Sequence, residues 1–234
     1  MQPYFYPYIG YWRLLASVDK FIILDDVNYI NKGWVNRNRV LVNGLPSYIT
    51  VPLKNASQNR KISDIEMVDS FNWRNKVLKT LEFNYRKSSA FDEVFPVLER
   101  LIKFNSPSLV EYLVCQIEGI SKFVGLNVEF ARASILYQNQ FLSGQDRIIN
   151  ICEQENADVY INLPGGRALY DEQSFLTRGI ELKFISDNQA EYKQRSTEFV
   201  PFMSIIDLLM ELGSKGIGFY LGVSEDRNFD NGVK

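Results

Sequence analysis

The second half of the chain alternates short apolar runs with longer segments of helical periodicity, and this alternation constrains the fold more than any other feature. The runs "NVEFARAS", "DVYINL" and "IELKFI" are typical of strands, whereas "SGQDRIINICEQEN" and "GRALYDEQSFLTRG" between them are typical of helices. Strands that alternate with helices pair in parallel, because each helix carries the chain back across the sheet. We therefore predict an α/β fold with a mostly parallel, Rossmann-like sheet.

The first half adds a strand, a hairpin and several helices to this prediction. A buried strand, "KFIILDDV", begins at Lys20, and Asn43-Gly44 marks a hairpin between "RVLV" and "SYITV". The clearest helix of the middle segment has Ser106 as its N-cap and ends at Gly125. We predict a single domain over residues 1–234, with the stretch 70–125 as a helical insertion or subdomain.

The composition of the 234 residues is that of an ordinary globular protein, with 46% hydrophobic and 23% charged residues. A net charge of −2 and a pI near 5.4 give no electrostatic case for nucleic acid or an anionic membrane as a partner. No apolar run approaches the roughly 18 residues that span a bilayer. The opening segment lacks the features of a signal peptide, and two cysteines are few enough for a reducing compartment. We therefore expect a cytoplasmic protein that neither binds nucleic acid nor inserts into a membrane.

Histidine is absent from the sequence. This absence excludes a Ser-His-Asp triad, a Cys-His pair, a histidine-based zinc site and any imidazole acid or base. Proton transfer would have to use a carboxylate, a lysine, a tyrosine or the amine of the substrate itself.

The densest group of polar side chains follows the first strand, in the stretch "LDDVNYINKGWVNRNR". In open α/β sheets ligands bind outside the carboxyl ends of strands, so chemistry is expected there. The adjacent carboxylates of Asp25 and Asp26 are candidates for proton transfer or for holding Mg²⁺, and Lys32 is a candidate catalytic cation. The candidate substrate-binding residues of this stretch are Asn31, Trp34, Asn36, Arg37, Asn38 and Arg39. The alternative is a solvated hairpin whose face carries charges of both signs.

A second candidate site is the turn "LPGGRALYD", which lies between a predicted strand and a predicted helix. Gly165, Gly166 and Arg167 are candidate phosphate ligands, because glycine lets backbone N–H groups approach an anion and arginine offers a fork of donors. The turn has neither the Walker pattern nor the three-glycine dinucleotide fingerprint. An ordinary strand-to-helix turn explains it equally well.

The opening twelve residues, "MQPYFYPYIGYW", hold six aromatic side chains and two prolines. After Pro7 the chain can form a short helix over residues 8–17. Gln2 can hydrogen-bond a base or an amide, and Tyr8 and Tyr11 can stack on a ligand. Most of the aromatic rings are expected to seal the core, with one or two of them and Gln2 lining a pocket.

Four segments of the chain resemble the WbqC-like family of bacteria: "MQPYFYPYIGYW", "DKFIILDDVNYINKGWVNRNRV", "LPGGRALYD" and "EFVPFMSIIDLL". The resemblance implies a setting in gene clusters for O-antigen and other surface polysaccharides, where transfer of glycine onto an amino sugar has been suggested. Family members carry a few apolar residues before the Met-Gln-Pro segment, enough for a first strand, and this sequence lacks most of that strand.

The segment "PYIGYWRLL" also occupies the place that a His-x-Gly-His motif takes in nucleotidylyltransferases and in ligases of the pantothenate synthetase type. Tyr8 and Tyr11 stand where that motif has histidines. Tyrosine carries no positive charge at neutral pH, so Lys32 or Arg37 would have to supply the charge that stabilises a phosphate.

These observations predict a transferase or ligase of surface-polysaccharide biosynthesis that joins a small acid, such as glycine, to the amine of a nucleotide-activated sugar. The acid could be activated by ATP with Mg²⁺, as an acyl thioester or on an aminoacyl carrier, and the sequence does not choose among these. Two alternatives stay open: a non-catalytic scaffold that binds a sugar nucleotide, and a nucleotidylyltransferase-like enzyme. The expected partners are these small molecules, and a homo-oligomer or a biosynthetic complex is the expected assembly.

Overall fold

The structure, a computed structural model, describes residues 1–68, 71–186 and 189–222 and contains both helices and strands. Its helices are α1 (Ile9–Ala16), α2 (Phe71–Tyr85), α3 (Phe91–Ile102), α4 (Leu109–Phe123), α5 (Ala133–Leu136), α6 (Gly144–Gln154), α7 (Glu172–Leu176), α8 (Ile205–Gly216) and α9 (Gly218–Leu221). Its strands are β1 (Lys20–Ile23), β2 (Arg37–Val42), β3 (Leu45–Thr50), β4 (Leu53–Lys54), β5 (Glu66–Met67), β6 (Glu129–Arg132), β7 (Val159–Asn162) and β8 (Glu181–Phe184). The predicted α/β class is confirmed.

The strands pair two by two. β1 and β6 run parallel, with Lys20 opposite Glu129 and Ile23 opposite Arg132, and β7 and β8 also run parallel. β2 and β3 form an antiparallel hairpin, and β4 and β5 form a short antiparallel pair. Parallel pairing is therefore present as predicted, but within the described residues the pairs do not join into one sheet. The larger Rossmann-like sheet stays a prediction.

The first residue of the chain runs alongside β1. The Met1 amino group donates to the Ile22 carbonyl at 2.6 Å, and the Leu24 N–H donates to the Met1 carbonyl at 2.8 Å. These two bonds have the pattern of a parallel pair and lie on the edge of β1 opposite β6. They bring Gln2 to the carboxyl end of β1.

Two local predictions about helices are wrong. α4 begins two residues later than predicted, because the Ser108 side chain, not that of Ser106, accepts the N–H of Glu111 as the N-cap. The predicted helix over "GRALYDEQSFLTRG" is instead a 3₁₀ turn, Pro164–Leu169, followed by α7. The two are separate because Tyr170 has extended backbone and Asp171 caps a new helix by accepting the N–H of Ser174.

A large main core and two much smaller cores hold these elements together, and the smallest consists of Ala133, Tyr137 and Ile151. The main core joins α1, β1, the β2–β3 hairpin, α2, α3, α4 and α8. It buries four rings of the opening aromatic segment, as expected: Phe5, Tyr6, Tyr11 and Trp12. The second core lies between α6, α7 and β8 and consists of Ile148, Ile149, Cys152, Phe175 and Ile180. Leu24, directly after β1, packs against this second core, so β1 connects the two. None of the helices in the described ranges has the length and apolarity that crossing a bilayer requires.

Candidate functional site

The carboxyl end of β1 places two adjacent carboxylates inside the protein. Asp25 is completely buried and Asp26 is 6% exposed. The neighbouring strand β6 ends at Arg132, so the carboxyl ends of both parallel strands lie at the same edge. This is the edge at which ligands are expected in a parallel sheet.

Both carboxylate oxygens of Asp25 are occupied by protein donors. Arg132 Nε donates to Oδ2 at 2.9 Å, the Ser134 hydroxyl donates to the same oxygen at 2.6 Å, and the Ser134 N–H donates to Oδ1 at 2.9 Å. Arg132 also pairs with Glu111 on α4 at 2.6 Å. Asp25 therefore ties β1 to the β6–α5 junction, and its charge is balanced without a ligand.

Asp26 has one oxygen paired and one oxygen free. Its Oδ2 accepts Arg147 Nη2 from α6 at 2.6 Å, while its Oδ1 is buried and has no hydrogen-bond partner in the described part of the chain. Arg147 is itself held by Asn139, whose Oδ1 accepts the guanidinium Nε at 3.0 Å. A buried carboxylate oxygen without a donor is costly, because it has lost the water that would otherwise solvate it. This oxygen is the strongest indication of a ligand-binding position near β1.

Gln2 supplies a second buried acceptor beside the same strand. Its Oε1 is buried without a partner, and the backbone pairing of Met1 with β1 brings Gln2 to the strand's carboxyl end. Tyr11 is completely buried in the main core, and its hydroxyl donates to the Gln2 carbonyl at 3.0 Å. Tyr11 thus fixes the backbone of Gln2 from the inside of the protein.

Two of the predicted site residues on the hairpin face inward. Asn36 accepts the Tyr29 hydroxyl at 2.8 Å and donates to the Val51 carbonyl at 2.9 Å. Asn38 donates to the carbonyls of Phe5 and Tyr6, at 3.1 and 2.8 Å. Their side-chain amides therefore hydrogen-bond neighbouring segments to the hairpin and are not available to a ligand in this arrangement.

The two arginines of β2 point to the opposite side, as strand alternation requires. The Arg37 guanidinium carbon lies 4.3 Å from the centre of the Tyr48 ring, and that of Arg39 lies 5.8 Å from the centre of the Trp34 ring. Both rings are substantially exposed, at 40% for Trp34 and 52% for Tyr48. We call these four residues the arginine–aromatic surface. It combines positive charge with flat apolar faces, the combination that binds phosphates and planar rings.

The remaining predicted residues of this region lie nearer to solvent. Asn31 and Lys32 are exposed in the loop before β2, where the Lys32 carbonyl accepts Arg37 Nη2. Tyr8 is half-buried, precedes α1 and packs edge-on against Phe202, with ring centres 5.7 Å apart. Lys32 forms no ion pair with any residue in the described ranges, so its charge is available to a ligand.

The glycine turn has the structure of a packed connection. The Gly166 N–H donates to the Leu163 carbonyl at 2.9 Å, inside the 3₁₀ turn Pro164–Leu169. A Cβ at Gly166 would lie 2.9 Å from Asn162 Nδ2, whereas one at Gly165 would touch nothing. Arg167 is exposed and stacks on Phe184, with its guanidinium carbon 4.7 Å from the ring centre. The close approach at Gly166 explains that glycine without a phosphate.

The structure adds three residues that the sequence analysis missed: Arg132, Ser134 and Arg147. Arg132 and Ser134 were visible near the end of the predicted strand "NVEFARAS", of which Ser134 is the last residue, and the carboxyl end of that strand lies at the same edge as Asp25. Arg147 shares the face of its predicted helix with buried apolar residues, and a charge in that position calls for a buried partner.

The arrangement does not favour a metal ion between the two aspartates. Both oxygens of Asp25 and one of Asp26 already accept hydrogen bonds from arginine or serine. Across the described ranges, no group of three or more histidine, cysteine, aspartate or glutamate side chains could hold a metal ion. We therefore derive no step through Mg²⁺ at this position.

Together, fold and site define an α/β protein with a partly satisfied carboxylate at the end of a parallel strand and an arginine–aromatic surface on the following hairpin. Residues 2–218 match the WbqC-like protein family, and the chain belongs to that family. It is also 29% identical, over 219 residues, to the uncharacterized protein Rv1507c of Mycobacterium tuberculosis. That match covers 92% of this chain and 93% of the relative. No solved structure matches the chain significantly.

Proposed function

We propose that the protein is a cytoplasmic transferase or ligase of surface-polysaccharide biosynthesis. In this proposal it joins a small carboxylic acid, such as glycine, to the amine of a nucleotide-activated amino sugar. The observation that carries the proposal is the Asp26 carboxylate, which is buried, paired with Arg147 through one oxygen and without a donor at the other. An amine is the kind of donor that this free oxygen lacks.

The proposed chemistry assigns proton transfer to Asp26. The amine nitrogen attacks the carbonyl carbon of an activated acyl group, the new C–N bond forms, and the bond to the leaving group breaks. The proton lost by the amine passes to Asp26 Oδ1, which is the oxygen that Arg147 leaves free. Asp25 has no free oxygen, so its proposed role is to hold the strand end in place.

The arginine–aromatic surface supports binding of the nucleotide. Trp34 and Tyr48 offer exposed ring faces for a base, and Arg37, Arg39 and Lys32 offer positive charge for the phosphates. The proposed second phosphate contact is the glycine turn with Arg167, where the exposed guanidinium supplies the charge and the Gly166 N–H is already bonded to the Leu163 carbonyl.

The test measures formation of the amide product by mass spectrometry. A nucleotide-activated amino sugar is supplied with glycine and ATP–Mg²⁺, with a glycyl thioester, or with a glycyl carrier protein. We expect product with one of these donors, and a loss of roughly 100-fold or more in rate for Asp26→Asn. Asp19→Asn is the matched control, since Asp19 is an exposed aspartate just before β1 and should keep the parental rate.

A second experiment distinguishes a loss of binding from a loss of catalysis. It measures how much the sugar nucleotide raises the unfolding temperature of each variant. Asp26→Asn should be stabilised by the nucleotide as the parent is, whereas Arg37→Gln should need roughly ten times more nucleotide for the same shift. Parental rates in both variants would remove this site from the proposal.

A non-catalytic scaffold is the second candidate, and the exposed arginine–aromatic surface favours it because that surface needs no catalytic group. Stabilisation by the sugar nucleotide without product from any donor would support the scaffold. Release of pyrophosphate from a nucleoside triphosphate and a sugar phosphate, without an amine, would instead support nucleotidyl transfer.

A further inference from the structure

A buried arginine on α2 forms a second unusual feature, far along the chain from Asp26. Arg74, in the first turn of α2, is 2% exposed, and among the described residues its Nε and Nη1 have no hydrogen-bond partner. Its Nη2 makes one long contact, 3.5 Å, with the Phe104 carbonyl. No carboxylate in the described ranges forms an ion pair with it.

Three further side chains in the region of the Tyr112 ring on α4, those of Trp73, Gln116 and Tyr6, have unsatisfied polar atoms. Trp73 packs edge-on against Tyr112 with ring centres 5.7 Å apart, and its Nε1 has no partner. Gln116 is one helical turn beyond Tyr112, and neither of its amide atoms has a partner. The Arg74 guanidinium carbon lies 5.8 Å from the centre of the Tyr112 ring and 4.7 Å from that of Trp73.

The fourth member comes from the opening aromatic segment. The Tyr6 hydroxyl is buried without a partner, and the proximity of Tyr112 contributes to the raised pKa of Tyr6, after the larger effect of burial. Burial likewise raises the pKa of Tyr112, and the positive charge of Arg74 acts against that rise. The ring distances place Arg74 and Trp73 beside Tyr112, and Gln116 follows Tyr112 by one helical turn. Phe5 packs against both the Tyr6 ring and the Tyr112 ring, with ring centres 5.0 and 6.4 Å apart, and so connects Tyr6 to this group.

The inventory of free atoms points to a negatively charged oxygen ligand. Arg74 Nε and Nη1, Trp73 Nε1 and Gln116 Nε2 can only donate hydrogen bonds, and the Tyr6 hydroxyl can also donate. Only Gln116 Oε1 must accept. Because native proteins pair nearly all buried polar groups, and buried charges above all, so many donors in one place call for an acceptor, which the described residues do not supply. Water would satisfy the neutral donors but would not balance the charge of Arg74.

We propose that Arg74, Trp73, Gln116 and Tyr6 form a buried binding site for a small oxyanion, either a carboxylate or an inorganic oxyanion such as phosphate. The anion accepts from the guanidinium, the indole and the amide, and it neutralises Arg74. It is small, because the unpaired atoms are closed off from solvent and a ligand reaches them only when the side chains part. This inference does not rest on the proposed function, because none of these four side chains has a role in the proposed reaction or in nucleotide binding.

The test is thermal unfolding of the whole protein in sodium acetate, sodium phosphate and sodium chloride at equal ionic strength. We expect acetate or phosphate to raise the midpoint of unfolding by several degrees relative to chloride, with saturation. Acetate alone or phosphate alone as the stabilising salt identifies which oxyanion fits. Equal midpoints in all three salts would overturn the proposal.

Arg74→Met distinguishes anion binding from a packing role, because it keeps the aliphatic stem and removes the charge. In chloride this variant should be at least as stable as the parent, since it relieves an unpaired buried charge. Its midpoint should no longer respond to the oxyanion. Arg86→Met, which removes an exposed arginine just after α2, is the control and should respond as the parent does. An unchanged oxyanion response in Arg74→Met would place any binding elsewhere and contradict the proposal.

Discussion

Asp25 and Asp26 are neighbours in sequence, but they differ in how many of their carboxylate oxygens are satisfied. Asp25 accepts three hydrogen bonds from Arg132 and Ser134, whereas Asp26 accepts one from Arg147. Replacing a satisfied carboxylate disturbs the fold, while replacing one with a free oxygen disturbs whatever that oxygen binds. Substitution of Asp25 should therefore affect mainly stability, and substitution of Asp26 should affect mainly ligand binding or catalysis.

We predict that Asp25→Asn lowers the free energy of unfolding by about 2 kcal/mol, because it leaves Arg132 without its buried partner. The loss is smaller than for a fully buried pair, since Arg132 is partly exposed and keeps Glu111. Urea unfolding measures this loss in the free energy of unfolding, with Asp19→Asn as the control. Equal losses in the two variants would mean that the contacts of Asp25 add nothing to stability.

Asp207 provides a residue-scale prediction about pH. Its completely buried carboxylate accepts the hydroxyls of Tyr85 and Tyr192, each at 2.6 Å, and the Gln194 amide at 3.0 Å. Burial raises the pKa of Asp207 above its usual value, and these hydrogen bonds only partly offset that effect. The folded protein therefore holds this proton at a pH at which the unfolded chain has lost it.

The sign of the pH effect follows from this difference in bound protons. Between the unfolded pKa of about 3.9 and the raised folded pKa, the contribution of Asp207 to the free energy of unfolding falls as pH rises. Asp207→Asn removes this dependence. Urea unfolding of both proteins at several pH values above 4 should show their difference shrinking as pH rises through this interval and then levelling off. A difference that grows with pH would contradict the raised pKa.

At the scale of elements, α8 contains a break that depends on one glycine. Gly213 has φ 70° and ψ −176°, which only glycine adopts readily, and a Cβ there would lie 2.4 Å from Glu93 Oε2 on α3. Glu93 Oε1 in turn accepts the N–H and hydroxyl of Ser214, at 3.1 and 2.5 Å. The break thus allows Ser214 of α8 to hydrogen-bond Glu93 of α3.

We predict that Gly213→Ala costs about 2 kcal/mol, from backbone strain and from displacement of Glu93. Gly218→Ala is the matched control, because Gly218 begins α9 and a Cβ there meets no atom within 4 Å. That substitution should be neutral or stabilise the protein by about 0.5–1 kcal/mol. Thermal unfolding of both variants tests this prediction. An unchanged stability of Gly213→Ala would mean that the break in α8 does not contribute to stability.

Elements whose signal is local were predictable from the sequence. The type I′ turn at Asn43-Gly44 is present, with φ of 52° and 77° at these residues, because its sequence signal lies within the turn itself. The division of the segment around Tyr170 was missed, although Asp171 at a helix N-cap is a recognisable start signal. The partners of Asp25 and Asp26 were also missed, since they lie more than 100 residues away in sequence.

At the scale of the whole molecule, strand order was the least predictable feature. Apolar runs indicate that β1, β6, β7 and β8 exist, but not which strand lies beside which, because pairing is decided by contacts distant in sequence. Both parallel pairs pack on both cores. β1 contributes Phe21 and Ile23 to the main core, and Ile161 of β7 packs against the same core. Leu24 and Leu182 pack against the second core. Asp26 at the end of β1 pairs with Arg147 of α6, so the candidate site lies between the main core and the second core.

This division predicts unequal stability within one chain. The second core has only five buried apolar residues, so the α6–β8 region should open locally at a lower free energy than α4, which lies in the main core. Native-state hydrogen exchange should therefore be about tenfold or more faster for the amides of α6 than for those of α4. Arg147→Met should widen the difference, because it removes the buried pair with Asp26. Arg178→Met, which removes an exposed pair between Arg178 and Glu153 of α6, should leave it nearly unchanged. Equal protection of α4 and α6 in the parent would show that the two cores unfold as one cooperative unit.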